Sequence, residues 1–189
     1  VALLDALGLD RVVLVGHSMG ASVAQRVAVD HQDRLLGLVL IGSFASLYRD
    51  PGLTSFFESA IAPLTDPIDR TFAREWQLST LARELPPEQL DVYVDESLKV
   101  PARVWKATFA GFLETPDFAE QLRNVRVPTL LVWGDRDTYA SRAAQARLLA
   151  LLPDVRLVAF HAHGHAVHWE DPAGVAEEIA SFIAARVPD

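Results

Sequence analysis

Four short runs of apolar residues recur along the chain, and most of their members are valine, leucine or isoleucine. Runs of this length without regular polar alternation are typical of strands that are buried on both faces of a sheet. The pattern therefore predicts four central strands, at residues 11–16, 35–42, 128–134 and 155–160.

Stretches with helical signals lie between these strands and after the last one. The last of them begins with Asp171 as a cap and Pro172 at the first helical position, which is a common start of a helix. Strands that alternate with helices predict an α/β fold with a parallel sheet covered on both faces. The predicted helices of this part are residues 19–30, 141–153 and 171–187.

Residues 44–124 interrupt the alternation, because they contain helical stretches marked by proline and no convincing strand. Each stretch opens with Asp, Thr or Pro, which are helix start signals. We interpret residues 44–124 as an inserted helical lid, and residues 1–43 and 125–189 as the α/β core. The predicted lid helices are residues 65–77, 86–99 and 115–122.

Composition narrows the class of protein. The 189 residues, half of them apolar, suffice for a sizeable core, and 17 Lys and Arg against 25 Asp and Glu give a charge of −8. This charge argues against nucleic acid or an anionic membrane as a partner. No apolar run reaches the roughly 18 residues of a membrane span, and the absence of cysteine excludes thiolate chemistry. The cytoplasm is the default location.

The sequence Gly-His-Ser-Met-Gly lies at residues 16–20, where a predicted strand turns into a helix. In this context G-x-S-x-G forms a nucleophile elbow, with Ser18 at the carboxyl edge of the sheet. We expect both glycines to supply room where a Cβ would clash. The backbone N–H of Met19, at the helix N-terminus, is the predicted oxyanion donor, and His17 is predicted to form a wall of the site.

A serine nucleophile needs an imidazole base, and the imidazole needs an acceptor for its other N–H. Residues 134–137, Gly-Asp-Arg-Asp, follow the third strand, and residues 161–165, His-Ala-His-Gly-His, follow the fourth. Loops after parallel strands meet at one edge of a sheet, so both segments can converge on Ser18. The order Ser, Asp, His is also the order of α/β-hydrolase triads.

Through GHSMG, VWGDRDTYAS and HGHAVHWEDP the chain resembles the α/β-hydrolase superfamily over essentially its whole length. The resemblance implies that Ser18, Asp137 and His165 are catalytic, while Asp135 shapes the turn. An exchange of roles between Asp135 and Asp137 remains an alternative.

The resemblance also implies strands ahead of the nucleophile strand, whereas this sequence begins inside a helix one element before it. We therefore interpret the chain as the C-terminal part of the fold. A loop that supplies the second oxyanion N–H is absent upstream of Ser18. Loss of one such donor typically lowers turnover about 100- to 1,000-fold, so we expect the chain to be poorly active and prone to aggregate.

Two further groups of residues have competing interpretations. Four histidines, at 161, 163, 165 and 168, could suggest zinc, but no thiolate or acidic ligand has a familiar zinc spacing. We therefore expect no metal and no cofactor. Trp76 and Trp105 in the lid could line a substrate pocket or pack in a core.

These parts predict a serine hydrolase that cleaves a small, mainly apolar carboxylic ester or lactone through an acyl-enzyme intermediate. Similar sequences include carbon-carbon bond hydrolases and cofactor-free haloperoxidases, which the triad alone does not separate. A ligand-binding protein with slow turnover is a further alternative. The oligomeric state is left open.

Overall fold

The computed structural model describes residues 1–187 and contains a four-stranded parallel sheet in the order β1-β2-β3-β4. The predicted α/β class is confirmed, and the four strands lie almost where the apolar runs placed them. Their bounds are Val12–His17 for β1, Leu35–Ile41 for β2, Thr129–Gly134 for β3 and Val155–Phe160 for β4.

Helices occupy most of the remaining described chain. The α-helices are α1 Ala2–Ala6, α2 Met19–Asp30, α3 Pro51–Phe56, α4 Arg70–Ser79, α5 Pro87–Leu98, α6 Ala102–Glu114, α7 Arg142–Leu151, α8 Val167–Glu170 and α9 Pro172–Arg186. A π-helix, Phe57–Ile61, follows α3, and 3₁₀ helices span Gln32–Arg34 and Ala119–Asn124. None of the helices in residues 1–187 combines the length and the apolar character that crossing a membrane requires.

The inner strands are buried on both faces because successive residues point to opposite sides of the sheet. In β2, Leu38 and Leu40 belong to one apolar cluster with helix α2, whereas Val39 and Ile41 belong to another with helix α9. All residues of β3 are buried. The two inner strands therefore form the buried centre of the sheet, and the loops that follow them lie at its carboxyl edge.

Strand β4 differs from the prediction of burial on both faces, since its residues Arg156 and Ala159 are exposed, and strand β1 differs as well. It pairs only with β2 among the described residues, and the Val15 side chain is 46% exposed. An apolar run indicates a strand that is compatible with burial, but it does not give the number of neighbours that the strand has. In this chain β1 is an exposed apolar edge.

The chain forms two compact units. One unit contains the sheet and comprises residues 1–45, 81–83 and the chain from residue 118; the other is helical and comprises residues 46–80 and 84–117. The prediction assigned residues 44–45, 81–83 and 118–124 to the lid, whereas in the structure they group with the sheet.

Two features of the predicted lid helices are corrected. The helix predicted at residues 115–122 is replaced by the later 3₁₀ helix Ala119–Asn124, and helix α6 was not predicted. Helix α6 follows Pro101 and buries Ala102, Trp105 and Phe109. These positions share one helix face, so the periodicity contained a signal that could have found the helix.

Aromatic side chains form the interior of the helical unit. Trp76 and Trp105 meet edge to face with ring centroids 5.6 Å apart, and Trp76 also contacts Phe56 and Phe109, each at 5.7 Å. Trp105 is only 8% exposed. Both tryptophans therefore pack within their own unit, which is the packing role considered for them, and a pocket role for either residue stays a prediction.

Candidate active site

Ser18 occupies the tight turn between β1 and α2. Its backbone has φ 52° and ψ −112°, a conformation that non-glycine residues rarely adopt. The Ser18 N–H donates to the carbonyl oxygen of Ile41 at 3.0 Å, which ties the turn to the end of β2. The Ser18 side chain makes no capping hydrogen bond with the helix. This strained turn is consistent with the predicted nucleophile elbow, and the role of Ser18 stays a prediction.

The two glycines of the elbow are not equivalent. A Cβ on Gly16 would lie 2.3 Å from the carbonyl oxygen of Gly20 and 2.7 Å from the backbone nitrogen of Ala21. A Cβ on Gly20 would meet no atom within 4 Å. The prediction that both glycines avoid a clash is therefore wrong for Gly20, because its Cα faces open space, and right for Gly16, which lets α2 approach β1.

Met19 is the first residue of α2. The first N–H groups of a helix lack intrahelical acceptors, and the helix dipole favours negative charge at this end. The Met19 backbone is thus in a position consistent with its predicted oxyanion role, which stays a prediction.

His165 and Asp137 form a buried pair. The Nδ1 atom of His165 lies 2.9 Å from Oδ2 of Asp137, and the two residues are 5% and 8% exposed. The other carboxylate oxygen, Oδ1, accepts from the N–H groups of Tyr139 and Ala140, both at 2.8 Å. The loop backbone therefore holds the carboxylate in place while it accepts from the imidazole.

Asp135 has a different partner. Its Oδ2 lies 2.8 Å from Nδ1 of His161, and its Oδ1 accepts from the Ala162 N–H at 2.7 Å. The hydrogen bond from His161 is the main cause that holds the pKa of Asp135 below its ordinary value. Of the two aspartates, Asp137 contacts His165 and Asp135 braces the turn after β4.

His17 and His168 lie beside His165. Nε2 of His17 is 3.1 Å from the carbonyl oxygen of His165, and the ring centroids of His17 lie 4.8 Å from His165 and 4.3 Å from His168. Burial, with smaller contributions from the neighbouring histidines, lowers the pKa of His17 to about 3 and that of His168 to about 4. Both rings are neutral near pH 7, and His17 donates through Nε2 because a carbonyl oxygen only accepts.

Gly42 is a site residue that the sequence interpretation missed. It follows β2 with φ 53°, and a Cβ there would lie 2.9 Å from Nδ1 and 3.0 Å from the carbonyl oxygen of His165. Only a glycine leaves room for the imidazole at this point. A glycine directly after a buried strand was the available signal.

Three of the four histidines considered for zinc have separate hydrogen-bond partners, whereas Nδ1 of the fourth, His168, has none within residues 1–187. His161 contacts Asp135, His163 contacts Arg83, and His165 contacts Asp137. Within residues 1–187 no group of three histidine, aspartate or glutamate side chains is arranged to hold a metal ion.

The three loops meet at one edge of the sheet because the strand ends are in register. Ile41 of β2 pairs with Val132 of β3, and Gly134 of β3 pairs with Phe160 of β4. A parallel sheet with a strained serine elbow and a buried His–Asp pair at its carboxyl edge defines an α/β protein of the hydrolase class.

Comparison with known proteins agrees with this class. The family model for the alpha/beta hydrolase fold matches residues 1–172, and the chain belongs to this family, as the resemblance predicted.

Two curated relatives and one solved structure illustrate the similarity. The chain is 32% identical to a 2-hydroxy-6-oxononadienedioate/2-hydroxy-6-oxononatrienedioate hydrolase of Pseudomonas putida, over 89% of this chain and 61% of that protein. It is 25% identical to a 2-hydroxy-6-oxo-6-phenylhexa-2,4-dienoate hydrolase of Burkholderia cepacia, with the same coverage of 89% and 61%. A thermophilic esterase from Thermogutta terrifontis superimposes with a TM-score of 0.85 and 25% identity, covering 98% of this chain and 70% of that one. The chain thus spans 61% of the length of these two curated relatives.

Proposed function

We propose that this chain carries the catalytic triad of a serine hydrolase, with Ser18 as nucleophile, His165 as base and Asp137 as the acid that orients it. The observation that carries the proposal is the buried hydrogen bond of 2.9 Å between Nδ1 of His165 and Oδ2 of Asp137. It fixes the imidazole with its proton on Nδ1, so that Nε2 has a lone pair available as a base.

In the proposed reaction, Oγ of Ser18 attacks a carbonyl carbon while Nε2 of His165 removes the hydroxyl proton. The negative charge on the carbonyl oxygen develops near the N-terminus of α2, where the Met19 N–H can donate. The imidazolium, stabilised by Asp137, then protonates the leaving group. Water, activated by the same imidazole, hydrolyses the acyl-serine and restores the free hydroxyl.

We propose a small, mainly apolar carboxylic ester as the substrate. The similarity to the Thermogutta terrifontis esterase, at 25% identity, supports this class. The helical unit inserted between β2 and β3 is proposed as the lid that selects the substrate, with Trp76 and Trp105 as its proposed pocket residues. The same lid and triad would accept a lactone, which is an internal ester.

A second candidate is the hydrolysis of a carbon-carbon bond next to a ketone. The specific observation in its favour is the 32% identity to the Pseudomonas putida hydrolase, whose name states a 2-hydroxy-6-oxo acid as substrate. The two candidates share the attack on a carbonyl carbon and differ in the leaving group. They are separated by incubating the protein with p-nitrophenyl butyrate and with a 2-hydroxy-6-oxo-dienoate in parallel, and measuring product from each.

The triad is tested by stopped-flow assay of p-nitrophenyl butyrate with two matched variants. Asp137→Asn is expected to lower the acylation rate by at least about 100-fold, because the imidazole loses the acceptor that fixes its tautomer. Asp135→Asn is the control and is expected to stay within about threefold of the unmodified protein, because Asp135 contacts His161 instead.

Two outcomes would count against the proposal. Equal acylation rates for Asp137→Asn and the unmodified protein would contradict the role of Asp137. A stoichiometric burst of p-nitrophenol without sustained turnover would favour the ligand-binding alternative over a hydrolase.

A further inference from the structure

Glu170, the last residue of α8, joins two segments that are far apart in the sequence. Its Oε2 accepts from the N–H of Gly164 at 2.5 Å. Its Oε1 accepts from the N–H groups of Ala82 and Arg83 at 2.5 and 2.7 Å. Both oxygens of one carboxylate are therefore used, each toward a different segment.

A second contact joins the same two segments. Nη1 of Arg83 lies 2.8 Å from Nε2 of His163, and Nδ1 of His163 lies 2.8 Å from the carbonyl oxygen of His161. An arginine only donates and a carbonyl oxygen only accepts, so His163 carries its proton on Nδ1 and accepts at Nε2. His163 is buried and the bond from Arg83 holds its ring against the segment 81–83.

The position of these contacts relates them to the base. Gly164 directly precedes His165, and the loop around it contains Ala162 with a positive φ of 60°. Residues 81–83 lie in the sequence between the two halves of the helical unit, yet they group with the sheet unit. One side chain, Glu170, therefore contacts both the loop backbone next to His165 and the segment 81–83.

We propose that Glu170 is a positioning residue for His165, and that it acts by holding the Gly164 N–H and the segment 81–83 in fixed register. This inference rests on the proposed function, because it assumes that His165 is the base. Glu170 itself does not take part in proton transfer. A carboxylate is required because a glutamine has one acceptor oxygen where the structure uses two.

The test compares Glu170→Gln with Glu120→Gln, which removes the charge of an exposed glutamate paired with Arg123 three residues away. Each variant reacts with a fluorophosphonate probe, and the pseudo-first-order labelling rate is measured by intact-protein mass spectrometry. We expect at least a tenfold lower rate for Glu170→Gln, with a melting temperature within a few degrees of the unmodified protein. Glu120→Gln is expected to label at the unmodified rate.

A second measurement uses the unmodified protein and keeps the inference testable if Glu170→Gln does not fold. With selective ¹⁵N-glycine labelling, the Gly164 amide should exchange slowly with deuterium. Rapid exchange, as at an exposed amide, would overturn the inference, as would a folded Glu170→Gln protein that labels at the unmodified rate.

The fluorophosphonate labelling rate of a further variant, Glu170→Asp, distinguishes positioning from a purely structural role. Glu170→Asp retains both acceptor oxygens but is one methylene shorter, so its labelling rate should lie between those of Glu170→Gln and the unmodified protein. A folded Glu170→Asp that labels no faster than Glu170→Gln would count against positioning. Failure of the unmodified protein to label at all would instead remove the proposed function on which the inference rests.

Discussion

The two glycines of the nucleophile elbow give a prediction with an internal control. Gly16→Ala places a Cβ 2.3 Å from the carbonyl oxygen, 2.5 Å from the carbonyl carbon of Gly20 and 2.7 Å from the nitrogen of Ala21. Gly20→Ala places its Cβ in open space. The two substitutions are chemically identical and lie four positions apart, so a difference between them reports the packing of α2 against β1.

The magnitude follows from the atoms involved. All three contacts of Gly16→Ala are with backbone, which cannot rotate away, so the cost should reach the upper end of the range for overpacking, about 3 kcal/mol. At about 2–4 °C per kcal/mol for a chain of this size, the melting temperature falls by about 6–12 °C. Gly20→Ala replaces a helical glycine, which costs about 0.5–1 kcal/mol relative to alanine, and should leave the melting temperature unchanged or raise it by about 1–4 °C.

Differential scanning fluorimetry measures both shifts, and fluorophosphonate labelling measures the effect on Ser18. Because relief of the clash moves the start of α2, Gly16→Ala should also label much more slowly than the unmodified protein. A Gly16→Ala protein with unchanged melting temperature and labelling rate would refute the close approach. So would a Gly20→Ala protein that is as destabilised as Gly16→Ala.

Three further predictions follow from the site and the sheet edge. Gly42→Ala should lower p-nitrophenyl butyrate acylation at least about tenfold in stopped-flow assays, since its Cβ would lie 2.9 Å from Nδ1 of His165; an unchanged rate would count against this contact. Because the folded pKa values of His17 and His168, about 3 and about 4, lie below the ordinary 6.5, the unfolded chain binds more protons between pH 6.5 and 4. Stability should therefore fall as pH falls through this window, by up to about 1.4 kcal/mol per pH unit for each histidine, and urea titrations of His17→Asn should show a shallower dependence. Val15→Thr should reduce the binding of 8-anilinonaphthalene-1-sulfonate, because Val15 is 46% exposed on the edge strand; undiminished dye fluorescence would place the apolar surface elsewhere.

The strands and the order of the candidate site residues could be predicted because they depend on local patterns. A parallel strand appears in the sequence as a short apolar run, and each candidate residue lies within five positions of the end of such a strand. The loops then meet at one edge because parallel strands end there together. This geometry and the resemblance together predict Ser18, Asp137 and His165 as the candidate site residues.

Contacts that depend on distant backbone groups could not be predicted. The partners of Glu170 are the backbone N–H groups of residues 82, 83 and 164. Every residue except proline has such a group, so the residue types at these positions do not indicate the contact. The hydrogen bond from His17 to the carbonyl oxygen of His165 also depends on a distant backbone group, because the two residues are 148 positions apart. Exposure of Val15 depends on the neighbours of β1, which the apolar run does not encode.

Identification of the fluorophosphonate-labelled residue tests the central claim most directly. The adduct is located by peptide mass spectrometry after a short reaction of the 189-residue chain with the probe. The proposed triad predicts a single adduct on Ser18, which is absent from Ser18→Ala and forms at least about 100-fold more slowly in folded His165→Ala. A folded protein that carries the adduct on another residue, or that labels Ser18 equally fast without His165, would contradict it.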